Sequence, residues 1–283
     1  YATIGGNFIP SENIGEVLNQ GIDACVNWND KVGEDFTYNL GLNITFTKNK
    51  LRKTNELSNI EDYRKSIGQP TSAIFGWQSQ GLFGKDVAIA GHPFQSFGNY
   101  QVGDIAYADL NNDGMVDNND QTRIGQSFPK TTLGVDVTLN YKGFGLYILG
   151  TATTGVTQML TSTYYWNKGL DGYSVLAEDR YHPVNNPTGT QPRLTTTSGV
   201  NNYRNSTFWT KNGSFFRLKN VELSYTLNNN SKKGIGKNYK FFVRGANLFV
   251  LSGIKELDPE QMLAGISNYP VYRTITGGVS INF

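Results

Sequence analysis

Read two residues at a time, the stretch FTYNLGLNITFT (36–47) separates into two lists. Phe36, Tyr38, Leu40, Leu42, Ile44 and Phe46 fall on one side, and Thr37, Asn39, Gly41, Asn43, Thr45 and Thr47 on the other. Successive side chains of an extended chain point to opposite faces, so this period of two confines the segment to a β-strand with one apolar and one polar face. The pattern recurs. Leu133, Val135, Val137, Leu139 and Tyr141 oppose Gly134, Asp136, Thr138, Asn140 and Lys142, and Phe144, Leu146, Ile148, Gly150 and Ala152 continue it. Val221, Leu223, Tyr225 and Leu227 alternate with Asn220, Glu222, Ser224 and Thr226, and Ile22, Ala24, Val26 and Trp28 form a shorter series. With an aromatic-rich segment at 239–249 and a last one at 272–283, seven strands are expected. Helical periodicity is confined to weak hints near 60–66 and 174–181.

The connections alternate in length. Residues 29–35 and Lys142-Gly143 are short, whereas 52–130, 158–212 and 250–270 are long, and 228–238 is intermediate. A meander with one tidy end and one elaborate end matches a transmembrane barrel, whose turns are short on the periplasmic side and long outside. Strands of about 9–11 residues are long enough to cross a bilayer. The expected fold is therefore all-β, an antiparallel transmembrane β-barrel with its apolar face to lipid and its Asn, Thr, Gly and Asp face to a wet lumen. Trp28, Phe36, Tyr141, Phe144 and Tyr239 lie near strand ends, where interfacial aromatics belong. The alternative is a soluble sandwich that buries one face, although sandwich strands are usually about half as long. Charge adds an exclusion. With 25 basic and 23 acidic residues, the chain has no electrostatic footprint for nucleic acid. One cysteine, Cys25, rules out an internal disulfide and cysteine-rich zinc spacing. The opening YATIGGNFIP reads like mid-chain sequence, so a fragment of a longer protein is expected.

DLNNDGMVDNND (109–120) has the ligand spacing of a calcium loop. A hard cation takes six to eight oxygens, which a twelve-residue loop supplies from fixed positions. Here these are Asp109, Asn111, Asp113, the carbonyl of Met115, Asp117 and Asp120, with Gly114 at the sharp turn. Asp120 stands where a longer Glu is usual, which predicts weaker binding. An Asx-rich turn without an ion would use the same residues. The flanks are wrong for a helix–loop–helix sensor: Ile105 and Tyr107 suggest a short strand, and Gly125 and Pro129 stop any helix that follows. The loop is expected to be a local calcium staple within 52–130.

Catalytic motifs are missing from the sequence. Gly76 and Gly81 have phosphate-loop spacing, but Leu82 stands where lysine is required. Asp258 and Glu260 flank a proline, which suggests a turn, and His92 and His182 have no evident partner. An enzyme is not expected. The aromatic residues Tyr164, Tyr165, Trp166 and Trp209 are candidates for stacking on sugar faces, against the alternative that they pack the loop. Trp77 is read as a packing residue.

Several stretches carry a family resemblance. These are GEVLNQGIDACVNWN (15–29), IGQPTSAIFGWQSQGLF (67–83), the long run from Val102 to Gly155, FFRLKNVELSYTL (215–227), VRGANLFVLS (243–252), LDPE (257–260) and YRTITGGVSINF (272–283). In this order they resemble the C-terminal part of a SusC/RagA-type TonB-dependent outer-membrane transporter of Bacteroidetes, over all of the chain except the stretch near 160–210. The resemblance implies a barrel of about 22 strands, a plug domain outside this chain through which the TonB complex acts, and a SusD-like surface lipoprotein as lid. It implies a glycan oligosaccharide, or a peptide, as cargo, outer-membrane lipid around the wall, and a barrel-assembly signal at Ile275, Val279, Ile281 and Phe283. Residues 1–283 would all be barrel and loops. The rival reading is a soluble extracellular, calcium-clipped β-domain for carbohydrate binding or adhesion.

Overall fold

The structure, a computed structural model, describes residues 13–169, 172–195, 201–228, 238–261 and 269–282. Seven long strands form one sheet: β1 (Glu16–Val32), β2 (Phe36–Lys53), β3 (Thr131–Tyr141), β4 (Phe144–Thr154), β5 (Phe215–Asn228), β6 (Asn238–Ser252) and β7 (Thr274–Asn282). Each pairs antiparallel with the next in chain order. The sheet does not close on itself: its order begins at β1 and ends at β7.

The register explains why alternation was so readable. One row across the sheet runs Trp28, Leu40, Val137, Ile148, Val221, Gly245 and Ile275. The adjacent row on the opposite face runs Asn29, Asn39, Thr138, Tyr147, Glu222, Arg244 and Thr276. A slip of one residue in any strand would exchange the two faces. Lys142 and Gly143 both take positive φ, 45° and 88°, which a two-residue hairpin of the primed type needs. Some strands run beyond their expected ends. β1 extends over 17 residues and β2 over 18, because their Asn- and Lys-rich extremities keep the ladder after the apolar series stops.

Among the described residues, nothing packs on the apolar face. Ile22 is 68% exposed, Val243 56% and Ile275 73%. A soluble sandwich would have covered this face with a second layer, so that expectation finds no support in the described residues. No helix here is long and apolar enough to cross a membrane, which says nothing about strands.

The core lies elsewhere. The long connections leave the same end of the sheet and fold into a cap with its own interior of Leu82, Phe83, Ile105, Tyr107, Val116 and Trp209, each at most 2% exposed. Short pairs organise it: Ala73–Trp77 with Gln121–Gln126, Ser79–Leu82 with Ile105–Tyr107, and Thr157–Met159 with Thr210–Asn212. The strand expected around Ile105 and Tyr107 is present. The helical hints shrink to single 3-10 turns, Asp62–Arg64 and Val175–Asp179.

Candidate functional site

The cap and the polar face beneath it hold most of the candidate residues. Two long connections are locked together by buried amides. Gln95 donates from Nε2 to Asn201 Oδ1 at 2.6 Å and accepts at Oε1 from the Tyr107 N–H at 2.7 Å. Asn202 Oδ1 accepts from the Ile105 N–H at 2.9 Å, and its Nδ2 donates to Asp104 at 2.8 Å. Arg193 Nη2 donates to the same carboxylate at 3.0 Å. Buried polar groups are tolerated only when satisfied, so this network ties Gln95 and Asp104 of the first connection to Asn201 and Asn202 of the second. Sequence reasoning missed it. Isolated Gln and Asn residues look like loop polarity until the fold brings them together.

The aromatic candidates separate by burial. Tyr165 (3% exposed) and Trp209 (2%) lie inside the cap. Trp209 stacks on Tyr203 at 6.2 Å and donates from Nε1 to the Asn202 carbonyl at 2.7 Å. Trp166 is half-buried, 6.3 Å from the Trp209 ring, and Tyr164 is half-buried edge-on to Tyr165 at 5.2 Å. Packing therefore accounts for Tyr165 and Trp209, and of the four only Tyr164 and Trp166 are part-exposed residues. Trp77 packs as expected: its Nε1 donates to the Asp117 carbonyl at 2.8 Å, and the Arg204 guanidinium lies 4.7 Å from its ring centre. Burial pushes the Tyr203 phenol up to about 12, and pushes Tyr107 and Tyr165 upward as well.

The 109–120 loop makes the expected turn, with Gly114 at φ 86° and Asn112 at 59°. Its carboxylates, however, are turned onto the loop's own backbone. Asp109 accepts from the N–H groups of Asn112 (2.7 Å) and Gly114 (2.9 Å), and Asp113 from that of Met115 (2.8 Å). Asp120 is fully buried and accepts from Leu110 and Asp117, both at 2.7 Å. Among the described residues, no three Asp, Glu, His or Cys side chains gather closely enough to hold a metal ion. The turn fits a calcium loop. The ligand set as it stands does not, and matches the Asx-turn alternative.

Below the cap the polar face carries ion pairs. Glu222 accepts from Lys240 at 2.6 Å and from Arg244 Nε at 2.8 Å. Arg217, 3% exposed, grips Asp258 at 2.7 Å, and Glu260 lies within 3.6 Å. The proline-flanking pair thus forms the expected turn and also fastens a loop to the wall. His92 packs edge-on against Phe83 at 4.8 Å, and His182 Nδ1 accepts from Asn185 N–H at 3.0 Å, so both shape loops. At the base of the cap a cleft of about 540 Å³ is bordered by Asn19, Asn49, Lys48, Arg123, Phe128 and Lys130. Of the residues expected to form an assembly signal, Ile275, Val279 and Ile281 share one face of β7, and Phe283 lies outside the described residues.

No protein-family model matches the chain. Among curated proteins it is 27% identical over 298 residues to TonB-dependent receptor P26 of Formosa agariphila, covering 96% of this chain and 30% of that protein. It is 26% identical over 295 residues to TonB-dependent receptor SusC of Bacteroides thetaiotaomicron, covering 99% of this chain and 28% of SusC. Over nearly its whole length the chain is thus similar to SusC-type TonB-dependent receptors. Among solved structures, the RagAB peptide importer in its open-open state superposes with a TM-score of 0.73 at 18% identity, covering 100% of this chain and 30% of that one. A second RagAB structure, of the peptide transporter, gives 0.71 at 19% identity. The chain thus shares the fold of the RagAB structures, and it spans about 30% of the length of the curated relatives it matches.

Proposed function

We propose that this chain is the C-terminal barrel portion of an energy-coupled nutrient importer. In this reading about 22 strands close the barrel, and a plug outside this chain receives the TonB complex. A SusD-like lipoprotein covers the cap, and Ile275, Val279, Ile281 and Phe283 serve as the assembly signal. The observation that carries the reading is a single sheet with an uncovered apolar face, a polar face with paired charges, and a folded cap at one end only. Glycan oligosaccharide is the proposed cargo, taken across the half-buried rings of Tyr164 and Trp166. The second reading, peptide, draws on the peptide importer and transporter named in the structural likenesses. Growth of cells carrying the full-length gene on oligosaccharide or on peptide as limiting nutrient separates the two. Loss of oligosaccharide growth in the Tyr164→Ala/Trp166→Ala variant, with normal protein in the membrane, supports the first. Unchanged oligosaccharide growth returns both rings to packing.

Calcium at 109–120 is retained as a proposal of a structural ion. Its support is the donor register and the Gly114 turn; binding requires Asp109 and Asp113 to swing away from the backbone. Calcium should then slow hydrogen exchange across 109–120 in the full-length protein. Unaltered exchange would leave the loop a self-closed Asx turn.

A further inference from the structure

β2 continues its outward series beyond the apolar band. After Phe36, Tyr38, Leu40, Leu42, Ile44 and Phe46, the next outward positions are Lys48 and Lys50, paired with Gln20 and Leu18 just as Phe46 is paired with Ile22. The row through Phe46, Thr131 and Thr154 is the last that β2, β3 and β4 share. Above it β2 leaves β3, stays paired with β1, and bonds on its other edge to Gly68 and Gln69 of the cap through Leu51. At about 3.4 Å per residue, Lys48 and Lys50 stand roughly 7 and 14 Å further along the strand. A tilt near 45° reduces this to a height of roughly 5 and 10 Å above the band, the depth of lipid headgroups. Both lysines are exposed, and neither has an ion-pair partner among the described residues. The nearby carboxylate of Glu16 is already taken by Arg52 at 3.1 Å. Within the paired rows below, outward positions on β2 to β4 carry no charge, so the cations are confined to this ledge.

We propose that Lys48 and Lys50, with Lys53 beyond the bulge at the strand's end, form a docking ledge for the phosphates of anionic glycolipid in the outer leaflet. The inference rests on the proposed orientation, in which the cap faces outward. Charge complementarity identifies the occupant: a basic step directly over an apolar wall matches a lipid that carries phosphate directly over acyl chains. The ledge also lies on the side that a plug cannot reach.

The test is native mass spectrometry of the full-length transporter titrated with bisphosphorylated lipid A or its dephosphorylated form. The wild type should hold the phosphorylated lipid more tightly, and Lys48→Gln/Lys50→Gln should lose roughly 25-fold of that preference, at about fivefold per lysine. Because Lys48 also borders the cleft at the base of the cap, Lys50→Gln/Lys53→Gln is the second variant and should lose it comparably. Equal binding of both lipids, or both variants binding like wild type, overturns the proposal. So does a loss of cargo uptake with lipid preference intact, which would assign the lysines to the cleft. Protease added to whole cells separates this from failure of the orientation. Cleavage within the cap upholds the orientation, whereas protection there with cleavage only in opened cells reverses it and removes the ledge from the outer leaflet.

Discussion

Replacing Trp209 by alanine removes the largest side chain from the cap interior and the donor that satisfies the Asn202 carbonyl. Large-to-small changes of this kind cost roughly 3–5 kcal/mol. The loss falls on the cap and not on the sheet, so limited proteolysis should cut within 158–212 while the barrel keeps its resistance to detergent. Intact loops in the variant would mean that the cap draws its stability from other contacts. Tyr203 gives a pH test at the same scale. Its folded-state value is raised by burial to about 12, against about 10 for a free phenol. Its contribution is fully present below pH 10 and fades as pH rises from there toward 12, because the unfolded chain releases the proton first. Ultraviolet titration should show a delayed tyrosine class, and Tyr203→Phe should remove one member of it. At this scale the sequence was only partly legible. The Asx loop and its glycine turn could be read, but the direction of its carboxylates could not, since hydrogen bonding to the backbone and ligation of an ion use the same residues. Gln95 and Asn201, 106 positions apart, could not be paired by any local pattern.

Whole elements were far more legible, because a period of two held over ten residues leaves few alternatives. All seven expected long strands are present, six where alternation put them and one over the aromatic-rich 239–249, and the Lys142-Gly143 turn has the backbone its residues favour. What alternation could not give was the interior of the cap. Pieces such as Ala73–Trp77 and Thr157–Met159 are too short to show a period, and tertiary contacts decide their pairing. The two faces of the sheet set a paired expectation. Val243→Arg places a charge on the outer face and should cost about 2–4 kcal/mol near mid-bilayer. Thr45→Lys on the opposite face lies across from Asp23 and should be close to neutral. Denaturant unfolding of the protein refolded into vesicles measures both. A neutral Val243→Arg would place that face in water.

At the scale of the molecule, seven strands leave two free edges, β1 and β7, and an apolar face that nothing among the described residues covers. Unpaired edges and bare apolar surface are unstable in water and in lipid alike. The barrel closure proposed above would pair both edges and set the apolar face in lipid; the chain spans about 30% of its curated relatives. The lipid-facing assignment is the central claim, and accessibility along β3 tests it most directly. In full-length protein carrying Cys25→Ser, single cysteines from Leu133 to Tyr141 would bear nitroxide labels in outer-membrane vesicles. The account requires labels at 133, 135, 137 and 139 to collide with oxygen dissolved in lipid, and those at 134, 136, 138 and 140 to be shielded from it. Loss of that period, or access of a water-soluble nickel chelate to the odd positions, would contradict it.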